Sequence, residues 1–174
     1  MKKPAVFLDR DGVLAVEKGY VTKLSDLELF PYAKDGISRM HELGYLAIVV
    51  TNQSAIARGI LTVEELYRMN YFLMEEIKVD AIYACPHSGK EDIPCTCRKP
   101  GTAMVEKAIQ EHDIEKRGSY FVGDRASDIE TGLRSKLQTV LLESGYGIKR
   151  LEKAVKPDYV CKDLIDFINR ILIG

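Results

Sequence analysis

Ala5-Val6-Phe7-Leu8-Asp9-Arg10-Asp11-Gly12-Val13-Leu14 is the stretch on which the fold turns. Its four leading apolar residues suit a strand covered on both faces, as in a parallel sheet. The run ends on two carboxylates one residue apart, and Gly12 lets the backbone turn sharply. Paired carboxylates at a strand end offer oxygen ligands to a hard cation such as magnesium. One of them could attack phosphorus while its neighbour handles the proton. Alone, the motif is more commonly a surface Asp-x-Asp-Gly turn. Its company decides.

Further apolar runs at 46–50, 81–84, 119–122, 139–142 and, more weakly, 158–161 alternate with segments of helical period. Thr62 and Glu65 form a capping-box pattern ahead of Val63, Leu66, Met69, Leu73 and Ile77. Val105, Ala108, Ile109 and His112 mark a second stripe, and Leu164, Phe167, Ile168, Ile171 and Leu172 a third. Gly44 is placed to close a helix that begins near Asp35. This alternation predicts an α/β fold: a Rossmann-like parallel sheet flanked by helices, in one domain spanning 1–174. Two stretches break it, 15–31 and 85–100, and both follow strand ends, where open α/β sheets place their ligands.

The chain has 174 residues, with 25 basic and 26 acidic, for a formal net charge of -1. That balance supplies no broad cationic field for nucleic acid or an anionic membrane. Met1-Lys2-Lys3-Pro4 and the short apolar run after it are too brief for a secretory signal. A cytoplasmic protein is therefore expected, and a monomer, since no stripe of surplus apolar residues asks for a partner.

Three elements give the Asp9–Asp11 pair its company. Thr51-Asn52-Gln53-Ser54 follows the second strand and offers hydroxyl, amide and backbone donors. Arg98-Lys99-Pro100 brings two cations to a predicted helix start, where an anion is favoured. Gly123-Asp124-Arg125-Ala126-Ser127-Asp128 follows the fourth strand and adds carboxylates for a metal. Together they provide a nucleophile, phosphate donors, countercharge and metal ligands.

These four motifs, in this order, resemble the haloacid dehalogenase superfamily of phosphotransferases. The resemblance implies a nucleophilic Asp9 that forms an aspartyl phosphate, and an acid–base Asp11. It implies that Thr51 and Lys99 hold and neutralise the transferring phosphoryl group. Magnesium would be held by Asp9, the Asp11 carbonyl and Asp124, with Asp128 supporting from behind. No insertion is large enough for a separate cap domain, so an open site is expected.

Cys85-Pro86-His87 and Cys95-Thr96-Cys97 bracket a seven-residue loop. Three sulfurs and one imidazole make a closed tetrahedral set suited to structural zinc within a loop spanning 85–97. Its expected task is to hold Arg98 and Lys99 within reach of the phosphate. Cys161 lies apart and reads as a buried free thiol.

The same cysteine and histidine spacing, ending in Cys-Arg-Lys-Pro, resembles the branch that holds heptose-bisphosphate and histidinol-phosphate phosphatases. The stretches 17–21 and 51–59 lean toward the heptose side. They imply a small phosphorylated sugar as substrate, with contacts from Glu17, Lys18, Gly19, Tyr20, Thr51, Asn52, Gln53, Ser54, Arg98, Lys99 and Arg125. A bisphosphate has a second phosphate to anchor, which Arg98 and Arg125 could hold. Histidinol phosphate carries an amine and would want an acid, for which Glu17 is available. Two further readings are a polynucleotide-end phosphatase, disfavoured by the charge balance, and a noncatalytic zinc-stabilised module. The second is disfavoured because Asp9, Asp11, Lys99 and Asp124 are all present.

Overall fold

In the computed structural model, which describes residues 2–90, 95–147 and 155–174, every strand runs parallel to its neighbours. In chain order the elements are β1 (Lys3–Leu8), α1 (Ala33–Glu42), β2 (Leu46–Asn52), α2 (Val63–Glu76) and β3 (Ala81–Cys85). They continue with α3 (Ala103–Glu111), β4 (Ile114–Gly123), α4 (Ala126–Arg134), β5 (Gln138–Leu142), β6 (Tyr159–Cys161) and α5 (Leu164–Phe167). The sheet order is β3-β2-β1-β4-β5-β6, which is the doubly wound arrangement expected from the alternation. The order reverses at β1, so the crevice beyond its carboxyl end is the natural ligand position. That end carries Asp9.

Burial explains the continuous apolar strands. Ala5, Val6, Phe7 and Leu8 are all fully buried, and their side chains divide between two core layers. Val6 and Leu8 join α1, α2 and the C-terminal helix on one face. Ala5 and Phe7 join α3 on the other.

Local signals resolve with instructive differences. Gly44 closes α1 with φ +85°: its N–H donates to His41 O (2.9 Å) and Tyr45 N–H to Met40 O (3.0 Å). That is the paired-bond ending which favours glycine. Thr62 caps α2 by accepting from Glu65 N at 3.2 Å, but the expected reciprocal bond is absent. The Glu65 carboxylate instead accepts from Leu24 N and Arg68, pinning the 15–31 stretch to α2. Val63, expected on the apolar stripe, is 49% exposed because it opens the helix on the solvent side. The fourth strand starts five residues before the sequence pattern suggests. A register shift opposite Pro4–Val6 interrupts the pattern, and Ser119 Oγ takes over the bond from Ala5 N at 2.9 Å. The C-terminal stripe forms as α5 followed by a π-helical turn over Ile168–Ile173. Cys161 is buried in β6, a free thiol as expected.

The 15–31 stretch is a short strap, not a cap domain. Val16 N–H donates to Glu28 O (2.8 Å) and Phe30 N–H to Leu14 O (2.9 Å), folding it back over the β1 end. Among the described residues no helix is long and apolar enough to cross a membrane.

Candidate active site

Three strand ends and one loop deliver the floor of the site. Asp9 leaves β1, Thr51 lies near the end of β2, and Asp124 follows β4, with Asp128 one turn into α4. Lys99 arrives from the segment before α3. All five are buried, between 0% and 6% exposed. Gly12 makes this crowding possible: its φ is +86°, and a Cβ there would collide with the Asp124 carboxylate.

Lys99 ties the floor together. Its Nζ lies 3.0 Å from Asp9 Oδ1 and 2.6 Å from Asp128 Oδ1, and donates to Val50 O at 2.8 Å. Burial opposes its charge, but Asp128 and Asp9 outweigh that and hold the ammonium above its ordinary value. Asp128 is satisfied on its other oxygen too, accepting from Asp124 N (3.2 Å) and Arg125 N (3.1 Å) at the start of α4. Asp9 Oδ1 takes Arg10 N as well, at 2.8 Å.

Asp124 is different. Its Oδ2 accepts from Tyr146 N at 2.8 Å, while its buried Oδ1 has no hydrogen-bond partner. Burial, with Asp9 and Asp128 adding to it, pushes its carboxyl up to about 8. Burial likewise raises Asp128 to about 6, against the pull of Lys99. Oxygens of Asp9, Asp124 and Asp128 lie within 4.8 Å of one another. Three close carboxylates with one orphaned oxygen fit a hard divalent cation. The donor set is all oxygen, which suits magnesium. Asp128, already spent on Lys99 and two backbone donors, fits the supporting place expected of it.

Asp11 stands at the side of this floor. Burial raises its carboxyl, and Arg10 pulls the other way. Gln53, placed by the sequence among the phosphate donors, is turned inward: it donates to Thr51 Oγ1 (2.9 Å) and contacts Asp11. Asn52 is likewise partly committed. Its side chain holds the Lys99 backbone from both sides, accepting from N (3.0 Å) and donating to O (3.2 Å).

Above the floor lies a cavity of about 450 Å³ whose wall includes Glu17, Gly19, Tyr20, Asn52, Ser54, Arg98 and Arg125. Lys18 does not belong to it. Its ammonium pairs with Glu28 at 2.7 Å and with Asp26 O. Arg125, expected to contact a second phosphate, lines the cavity, pairs with Glu17 at 2.5 Å and lies 4.4 Å from the Tyr146 ring. Three groups escaped the sequence reading. Arg58 lines the cavity and sits 5.8 Å from the Tyr20 ring. Arg10 lies buried behind Asp11. The turn 144–147 closes the site, Ser144 Oγ donating to Gly12 O and Gly147 N–H to Asp124 O. Its Ser-Gly-Tyr-Gly composition after a strand was the available signal.

Cys85, His87, Cys95 and Cys97 converge as their spacing predicts. Cys85 Sγ and Cys97 Sγ each lie within 3.4 Å of His87 Nδ1, and Cys95 Sγ is 3.8 Å from Cys85 Sγ. Residues 91–94 of the expected zinc loop lie outside the described residues. The four donor atoms, three sulfur and one nitrogen, are mutually close enough to share one ion. Two bonds lead from the cluster toward the cavity: Arg98 N–H donates to Cys95 Sγ (3.4 Å), and Arg98 NH1 to His87 O (3.0 Å).

A family model described as HAD-hydrolase-like matches residues 96–167. A D-glycero-D-manno-heptose-1,7-bisphosphate 7-phosphatase of Thermosynechococcus vestitus is 34% identical, over 94% of this chain and 93% of that protein. The alpha-anomer enzyme of Campylobacter jejuni is 38% identical over 82% of this chain and 83% of its own. Among solved structures, the D,D-heptose 1,7-bisphosphate phosphatase of B. bronchiseptica, complexed with magnesium and phosphate, superposes with a TM-score of 0.88. It is 28% identical, with 99% of both chains covered. Four ordered motifs on one parallel sheet and full-length likeness to these enzymes lead to one assignment: the chain belongs to the haloacid dehalogenase-like phosphatases, in the family that includes the heptose-bisphosphate phosphatases.

Proposed function

We propose that this chain removes the 7-phosphate of D-glycero-D-manno-heptose 1,7-bisphosphate through an aspartyl phosphate on Asp9. The observation that carries the substrate choice is the spread of cations. Lys99 sits at the reacting centre, while Arg58 and Arg98 on the cavity wall have no carboxylate partner among the described residues. A substrate with two phosphates uses both ends of that distribution. Glu17 supports the same choice. Both its oxygens are engaged, by Gly19 N and by Arg125, so it is a poor receptor for the amine of histidinol phosphate.

Asp9 Oδ1 is held by Lys99 and Arg10 N, which leaves Oδ2 to attack phosphorus. The bond from phosphorus to the sugar oxygen breaks, and Asp11 gives its proton to that oxygen. Water then attacks the phosphoryl group on Asp9, passing a proton to Asp11, and inorganic phosphate leaves. Lys99 and the Thr51 hydroxyl offset the charge on the transferring group. Asp9, Asp124 and the Asp11 carbonyl would hold magnesium, with Asp128 behind them. When bound, it lowers the repulsion between two anions and polarises the phosphoryl oxygens.

Zinc on Cys85, His87, Cys95 and Cys97 would have no open position for substrate, and its task is to fix Arg98. One continuous sheet supports a single phosphatase domain over 1–174, working on a small sugar phosphate as a cytoplasmic monomer. The test is kcat/KM on heptose 1,7-bisphosphate beside histidinol phosphate, at saturating magnesium. A preference of at least about a hundredfold for the bisphosphate is expected. The reverse preference would overturn the substrate assignment and leave the phosphatase chemistry standing.

A further inference from the structure

Arg10 is among the largest fully buried side chains, 1% exposed, and it does not line the cavity. A buried guanidinium has to spend its donors on partners, because its desolvation is costly. Two of its three nitrogens donate to the next residue. Nε donates to Asp11 Oδ1 (3.1 Å) and Oδ2 (3.2 Å), and NH2 donates to Asp11 Oδ2 at 2.9 Å. NH2 also reaches Gln53 Oε1 at 3.3 Å, and NH1 packs against Met69 Sδ of α2 at 3.9 Å.

Sequence neighbours rarely form such a fork. This pair does because the chain turns back at Gly12, with Leu14 N and Ala15 N both donating to Arg10 O at 2.9 Å. Gln53 completes a circuit, giving Nε2 to Thr51 Oγ1 at 2.9 Å and touching Asp11 Oδ2 at 3.4 Å. The Asp11 side chain keeps 15% exposure and reaches the cavity wall. Its approach to the reacting atoms is therefore set largely by Arg10, which does not line the cavity.

We infer that Arg10 is a positioning residue. It locks the Asp11 carboxylate at the cavity wall and couples it, through Gln53, to the phosphate-holding hydroxyl of Thr51. The inference rests on the acid–base role given to Asp11. A lysine could not replace it, since a single ammonium lacks the planar fork.

A double-mutant cycle tests this: wild type, Arg10→Met, Asp11→Asn and the two combined, assayed on a sugar phosphate and on p-nitrophenyl phosphate with magnesium. Arg10→Met is expected to lower kcat on the sugar phosphate at least about a hundredfold, the scale of general acid–base catalysis, with KM within about threefold. Nitrophenolate leaves without a proton, so its first-turnover burst is expected to survive while steady turnover falls. In the Asp11→Asn background, Arg10→Met is expected to cost less than about twofold more. The combined variant removes both buried charges together, so the comparison in the Asp11→Asn background stays readable even where Arg10→Met alone fails to fold, and a further loss above about tenfold there would overturn the inference. A full additive loss, or loss of the nitrophenol burst in a folded Arg10→Met, would overturn the inference. Wild-type protein with no turnover on either ester would strike the phosphatase reading itself, and this inference with it.

Discussion

Asp128 and Glu17 are both carboxylates that hold a cation of the same cavity, in opposite surroundings. Asp128 is fully buried, anchored by two backbone donors, and its partner Lys99 is 4% exposed. Glu17 rides on the strap, and its partner Arg125 has a side chain that is 45% exposed. The first pair belongs to a floor made of strand ends, where geometry is fixed by the sheet and by desolvated charge. The second belongs to a rim made of loops, where ion pairs are screened and typically worth about 0–1 kcal/mol. A floor of this kind suits chemistry that is the same for every phosphate ester. A rim of this kind suits recognition, which can change without disturbing the floor.

The floor should break first and most completely. Asp9→Asn keeps the shape and removes the nucleophile, so kcat is expected to fall by roughly a thousandfold or more with the fold intact. Near-normal turnover would remove Asp9 from the mechanism. The same variant reads the crowding of charge. Between the ordinary carboxyl value of 3.8 and the value of about 8 for Asp124, the metal-free folded chain keeps a proton that the unfolded chain releases. Stability of the metal-free protein should therefore fall as pH rises across that window. Burial is the larger cause, but Asp9 is next, so thermal melts of Asp9→Asn should show a shallower fall. An equal or steeper fall would mean that Asp9 does not press on Asp124.

The zinc cluster tests whether floor and rim are joined. Cys95 accepts the Arg98 N–H, and Lys99 follows directly, held by Asn52. Cys95→Ser should release zinc, detected by metal analysis, and raise KM by about tenfold, the loss of one charged contact. The kcat should change less, because Asn52, Asp9 and Asp128 still hold Lys99. Loss of zinc with unchanged KM would show that the cluster serves the loop alone.

Floor and rim also differ in how much the sequence discloses. Asp9, Thr51 and Asp124 stand out because each lies at or just after the end of an apolar strand, and Lys99 because it falls in the Cys-Arg-Lys-Pro motif whose resemblance implies its role. The cluster of Cys85, His87, Cys95 and Cys97 is legible because its spacing is short and local. The ion pairs of Lys18 and Arg125 were not legible for one reason: side chains on a loop choose partners through space. Lys18 found Glu28 and Arg125 found Glu17, across separations no local pattern reports. Arg10 was overlooked because arginine is ordinarily a surface residue. Only the folded turn at Gly12 shows that its guanidinium is enclosed.

Arg58 gives the finest test of the division. It is exposed, meets the cavity, and its guanidinium lies 5.8 Å from the ring of Tyr20. An exposed arginine contributes little to the fold, so Arg58→Gln should leave the melting temperature nearly unchanged. Its effect should appear only when the substrate carries a second anion. KM for heptose 1,7-bisphosphate is expected to rise about fivefold, near 1 kcal/mol for a solvent-screened charged contact. KM for a heptose monophosphate that lacks the distal phosphate should move less than about twofold, and kcat should hold for both. Equal changes on the two substrates would place Arg58 beside the transferred phosphate, making it part of the floor despite its exposure. No change on either would leave Arg98 as the arginine that meets the distal phosphate, because its NH1 donates to His87 O at the cysteine–histidine cluster while its side chain lines the cavity.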